Sequence, residues 1–136
     1  SKQARSAAKP SAVLNISQIA DYDRYNVPLK FSKDLSRERF DTQFAINSDV
    51  QTLEIREMQR IVVALQSEGD DRKLNFTGYL KIGNELRPLP VGSTLKDGTF
   101  YWLPGPGFVG KYQLVFADKK LRIRKDISVV IKPRFE

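Results

Sequence analysis

Gly98-Thr-Phe-Tyr-Trp-Leu-Pro-Gly-Pro-Gly-Phe-Val-Gly-Lys-Tyr-Gln-Leu-Val-Phe116 decides the fold class. Phe100 and Trp102 share one parity, as do Tyr112, Leu114 and Phe116. A period of two is the mark of a strand with one face turned to a core. Pro104-Gly105-Pro106-Gly107 between them forbids helix and removes two backbone donors. The stretch therefore reads as two strands joined by a Pro/Gly loop, forming one layer of a β-sandwich.

Strand signals continue on both sides. Thr52–Arg56, Gln59–Leu65 and Phe76–Ile82 read as strands, the second β-branched and nearly continuous. Leu121–Ile131 places Leu121, Ile123, Ile127, Val129 and Ile131 on one parity, as a long closing strand with a bend near Lys125-Asp126. Upstream, Val13–Ile16, Val27–Phe31 and Thr42–Ile46 are further strand candidates. Asp21–Asn26 reads as a polar turn, and Ser32–Phe40 as a helical turn capped by Ser32 or Asp34. Short strands separated by turn signals every 8 to 12 residues or so indicate a sandwich. Residues 1–12 read as a disordered basic lead, 13–48 as a β extension or small subdomain, and 49–136 as the sandwich domain. The expected core holds Trp102, Phe100, Tyr112, Leu114, Phe116, Val63, Leu65 and Ile123.

Leu89, Pro90, Gly92, Leu95, Gly98, Phe100, Trp102, Pro104, Gly110, Tyr112, Leu114 and Phe116 together form a spaced pattern of Pro, Gly, aromatic and aliphatic positions. It resembles that of the immunoglobulin-like modules of large bacterial surface and secreted proteins. The resemblance covers about residues 50–134 and leaves the first 48 unexplained. It implies an all-β, immunoglobulin-like β-sandwich with extra N-terminal strands, in which Trp and Phe fill the core and Tyr112 occupies a tyrosine-corner position. It carries no catalytic residues and no cofactor. It implies a non-enzymatic structural or protein-binding module of a secreted or cell-surface assembly, with protein partners and an extracellular, surface or periplasmic location.

Composition sets limits on chemistry. The chain of 136 residues has no histidine and no cysteine. That removes Ser-His-Asp triads, cysteine nucleophiles, disulfides and most zinc, iron and haem sites. No run approaches the roughly 20 apolar residues of a membrane helix, and Ser1–Ser11 has no apolar core of a signal peptide. Net charge is +7. It is concentrated at the two ends of the sequence: +3 in residues 1–10, +5 in 111–136, and −1 between them.

The basic ends supply the alternative reading, a polyanion-binding module for nucleic acid or acidic polysaccharide. Lys120, Arg122 and Arg124 share a parity on the closing strand and would span about 13 Å along a phosphate or sulfate backbone. Lys2, Arg5 and Lys9 would add to that contact. The same stripe also suits an edge strand guarded against aggregation. Other features have plainer readings. Trp102 is expected in the core with Tyr101 facing out. Asp21, Asp23 and Asn26, or Glu68, Asp70 and Asp71, offer oxygen ligands for Ca²⁺ but lack EF-hand spacing and fit solvated turns. Glu54, Glu57 and Asp97 are carboxylates near apolar strands with nothing to pair them for glycoside hydrolysis. No catalytic, metal or cofactor residues are assigned. Asn15-Ile-Ser17 and Asn75-Phe-Thr77 are glycosylation sequons.

Overall fold

Phe100 and Phe116, from the two halves of the aromatic stretch, meet edge to face with ring centroids 5.3 Å apart. They do so across the core, from opposite layers. The computed structural model describes residues 14–27, 29–33, 41–43 and 50–135. In chain order its strands are β1 (Leu14–Asn15), β2 (Asp23–Arg24), β3 (Leu29–Ser32), β4 (Asp41–Gln43), β5 (Val50–Arg56), β6 (Ile61–Ala64), β7 (Thr77–Ile82), β8 (Glu85–Arg87), β9 (Ser93–Lys96), β10 (Thr99–Trp102), β11 (Gly110–Asp118) and β12 (Ile123–Lys132). Among the described residues one sheet runs β9-β10-β6-β3-β4. The other runs β1-β8-β7-β11-β12-β2, with β5 also paired to β12. The protein is an all-β sandwich.

The two strands of the aromatic stretch are thus not one layer. β10 pairs with β9 and β6, whereas β11 pairs with β12 and β7. The Pro/Gly loop carries the chain from one sheet to the other. The alternating aromatics are the same in either arrangement, because a period of two reports which side is buried and not what lies opposite. Trp102 is fully buried. Its ring meets Tyr112 at 5.3 Å and 86° and Phe108 at 6.3 Å. Every residue expected in the core is buried except Tyr112, which is half-buried and packs against it.

Parity also explains β5. Gln51, Leu53 and Ile55 face in, and the residues between them face out. β5 lies parallel to β12, with Val50 beside Asp126 and Arg56 beside Lys132. β11 flanks β12 on its other side with unbroken register from Gly110–Ile131 to Asp118–Ile123. No bend interrupts β12 at Lys125-Asp126, and β12 is an interior strand rather than an edge.

Residues 14–27 and 29–33 form a strap on the sandwich. Asn15 and Gln18 make a reciprocal capping box around the 3-10 turn Ile16–Ile19. That turn drops Ile19 onto the outer face of the larger sheet, against Tyr79, Leu86, Val115 and Ala117. The chain then pairs with the start of β12 through β2, buries Tyr25 in the main core, and enters the smaller sheet as β3 against β6. Asp21–Asn26 is therefore a crossing between layers and not merely a polar turn. The helical turn expected at Ser32–Phe40 lies largely outside the described residues. No helix among the described residues is long and apolar enough to cross a membrane.

Candidate functional site

Three connections converge at one end of the sandwich: residues 73–77 leading into β7, the β9–β10 turn, and the β11–β12 turn. They enclose an open groove of about 790 Å³, within the range of ligand-binding clefts.

Each wall has a local cause. Lys96 pairs with Thr99, so Asp97 and Gly98 alone turn the chain. Both have positive φ, 51° and 78°, as a two-residue turn matched to strand twist requires, and Asp-Gly suits it. The Gly98 carbonyl accepts from the Leu65 N–H at 2.9 Å, extending the β10–β6 ladder. In the β11–β12 connection, Asp118 pairs with Ile123, leaving Lys119–Arg122 as the turn. Arg122 has φ 55°. Its guanidinium lies 5.0 Å from the Tyr22 ring centroid and pairs with Asp21, so the strap braces this turn.

Asp118 ties two walls together. Its carboxylate accepts from the Asn75 N–H at 2.8 Å and the Leu121 N–H at 2.9 Å, with the Lys120 N–H as a further donor. Burial alone would raise this carboxyl, but the backbone donors and the Lys120 charge outweigh it, and the acid is held below its ordinary range. Lys73, Lys119 and Lys120 are exposed around the groove. None of the three meets a carboxylate at ion-pair distance among the described residues. Half-buried Leu74 and Leu95 line the floor, and exposed Asp97 stands on the rim.

The expected stripe of Lys120, Arg122 and Arg124 is not present. A period-two count from Lys120 fails because residues 119–122 are turn, and the strand begins only at Ile123. Lys120 faces the groove, and Arg122 is held against Tyr22 and Asp21. Arg124 is 4% exposed. It forms a two-pronged pair with Asp126 at 2.9 and 2.7 Å and reaches the Ile19 carbonyl at 3.3 Å. Arg24 from β2 adds a contact to Asp126 at 3.2 Å. Arg124 is thus neutralised inside the protein, its role being to fasten the strap. Lys2, Arg5 and Lys9 lie outside the described residues. The sequence reading missed Lys73 and Lys119. The clue was Asp118, an acid followed by two lysines at a strand end, which is a turn-capping arrangement.

The remaining polar clusters are structural. The Tyr25 hydroxyl donates to Asp70 at 2.8 Å and accepts from the Ser67 N–H at 3.1 Å. Arg72 grips both Asp70 oxygens at 3.0 and 2.7 Å. These contacts hold the Asp70 carboxyl well below its usual range. Burial pushes Tyr25 up, and the Asp70 carboxylate adds to it. Asp21 and Asp70, two of the carboxylates weighed as Ca²⁺ ligands, are thus engaged by arginine. Glu57 accepts from the Gly107 and Arg134 N–H groups, which lower its carboxyl. Glu57 lies at the far end of β10 from Asp97, and Glu54 meets Lys132 at 3.6 Å, so the three are not assembled. Tyr101 is half-buried, with Arg60 over its ring at 5.5 Å.

Lys125 shares the inward parity of Ile123 and Ile127 and is 2% exposed. Its ammonium donates to the Tyr25 and Val27 carbonyls, both at 2.9 Å, pinning the strap from within. Burial lowers its pKa to about 8, and Asp126 partly offsets that.

No protein-family model matches the chain, and no curated protein is significantly similar to it.

Proposed function

We propose that the chain is a non-enzymatic, immunoglobulin-like binding module of a bacterial secreted or cell-surface assembly. In this reading it engages a protein partner through the loop end described above. The observation that carries the reading is the convergence of three braced connections on one groove with three lysines that meet no carboxylate among the described residues. Loops on a rigid scaffold are where binding residues concentrate.

The strand pairing supports the immunoglobulin-like part. With β6 taken as strand B, the order β9-β10-β6 follows D-E-B, and β7-β11-β12 follows C-F-G. The three loops of the groove then lie between B and C, D and E, and F and G. Two features depart from the plain pattern. β3 of the strap, rather than an A strand, flanks β6, and β5 runs parallel to β12. Asp70, Asp118 and Asp126 are engaged in holding loops and strap, which favours a binding role over acid–base chemistry.

Cell fractionation with protease shaving of intact producing cells tests the location. A protein that is secreted, or released from the surface by protease, agrees with the reading. A protein confined to the soluble cytoplasm contradicts it.

A further inference from the structure

We propose that the end groove is a site for an acidic peptide segment of the partner, one with an apolar side chain flanked by carboxylates. This rests on the protein-binding reading above and names the chemistry of its ligand.

Charge is the first argument. Lys73, Lys119 and Lys120 surround the groove without carboxylate partners among the described residues. Of the two acids in the lining, Asp118 is 3% exposed and saturated by backbone donors. Its carboxylate is turned to those N–H groups and stays ionised, so the groove presents three ammonium groups against exposed Asp97 and buried Asp118, a lining with a net positive charge. The second argument is the floor. Leu74 and Leu95 are half-buried aliphatic side chains facing this space, a place for an apolar side chain to leave water.

These same features select among anionic ligands. Among the described residues Phe76 is the sole aromatic in the lining, and it is buried. The groove therefore offers no ring for a base or sugar to stack on, as single-stranded nucleic acid binders do. Asp97 can accept a backbone amide N–H, which a peptide supplies and a phosphodiester backbone lacks. The walls are preorganised: Asp118 fixes the Asn75 and Leu121 backbone, and the Asp97-Gly98 turn is closed by the Lys96–Thr99 pair. The backbone of these walls therefore needs little ordering on binding.

The test is a two-dimensional amide NMR titration of the whole chain with the blocked peptide Glu-Glu-Leu-Glu-Glu, with heparin and a single-stranded oligonucleotide as separate titrants. The expected result is saturable shifts confined to residues 73–77, 95–98 and 118–121 with the peptide. Affinity should fall as ionic strength rises past about 0.1 M, where screening shortens to about 10 Å. Charge reversal of the lysines (K73E, K119E and K120E together) should weaken binding on the order of tenfold or more. The neutral set K73Q, K119Q and K120Q should give an intermediate loss with an unchanged unfolding midpoint, separating binding from folding. Absence of saturable shifts at these residues overturns the proposal. So does tighter binding of heparin or oligonucleotide at the same residues, or peptide binding that survives charge reversal. A failed titration with a surface-exposed protein would remove this ligand class and leave the wider binding reading standing, whereas a cytoplasmic location would remove that reading itself.

Discussion

Replacing Asp118 with alanine removes one carboxylate and with it the link between two walls of the groove. The Asn75 and Leu121 N–H groups lose acceptors at 2.8 and 2.9 Å, and the Lys120 N–H loses a third. Hydrogen bonds to a charged group contribute about 1.5–3 kcal/mol each. Water reaches this end of the sandwich and replaces part of that, so the expected loss is about 2–4 kcal/mol. Urea denaturation at pH 7 measures it. The pH dependence supplies a second check. The folded Asp118 carboxyl lies below its unfolded value, so its contribution is complete above about pH 4 and is lost as pH falls through the depressed folded value. The difference between wild type and Asp118→Ala should therefore shrink below pH 4. A loss under about 0.5 kcal/mol at pH 7, the scale of an ordinary surface change, would refute the pin. So would a difference that stays constant to pH 2.

Gly78 pairs with Phe116, and a Cβ there would lie 2.6 Å from Leu89 Cδ1 and 2.9 Å from Phe116 Cε1. Gly78→Ala should cost about 1–3 kcal/mol, and adding Leu89→Ala should recover part of it in the same denaturation assay. Trp102→Ala empties the centre of the aromatic cluster and should cost about 3–5 kcal/mol; an unchanged denaturation midpoint would contradict its placement. Lys125 is a cation whose folded pKa, about 8, lies below its ordinary 10.5. The unfolded chain binds the extra proton between those values, so this group's penalty is full below pH 8 and eases as pH rises. Wild type should gain about 2 kcal/mol relative to Lys125→Met between pH 7 and pH 10. Above pH 10 the raised Tyr25 hydroxyl acts in the opposite sense, so the comparison should stop there.

The all-β class was legible because parity survives in the sequence: Phe100, Trp102, Leu114 and Phe116 mark their buried sides unaided. What parity cannot tell is which strand lies beside and which lies opposite. The two halves of the aromatic stretch were therefore placed in one layer when they face each other from two. The strap's strands near Leu14 and Phe31 were legible, but its crossing between the layers was hidden for a related reason. β2 is two residues long, and Tyr25 and Ile19 sit among polar neighbours, too short a span for a period to register. Arg124 and Lys125 misled because charged residues in a strand usually mark solvent. Here Asp126 and the strap carbonyls of Ile19, Tyr25 and Val27 satisfy them inside. The groove was only partly legible. Lys120 stood out within a basic run, but its neighbours come from three separate connections that only the folded chain assembles. Asp97-Gly98 fits a two-residue hairpin turn, a signal the sequence reading did not use, and its position beside Lys120 depends on β10 and β11 lying in facing sheets.

The working role of the loop end is the central claim, and photo-crosslinking in producing cells tests it most directly. A benzophenone amino acid placed at position 97, on the groove rim, is compared with one at exposed Met58 beyond the opposite end of β10. The account predicts a discrete protein adduct from position 97 that is lost when Lys73, Lys119 and Lys120 are reversed in charge, with no such adduct from position 58. An adduct from position 58 and none from position 97 would contradict it.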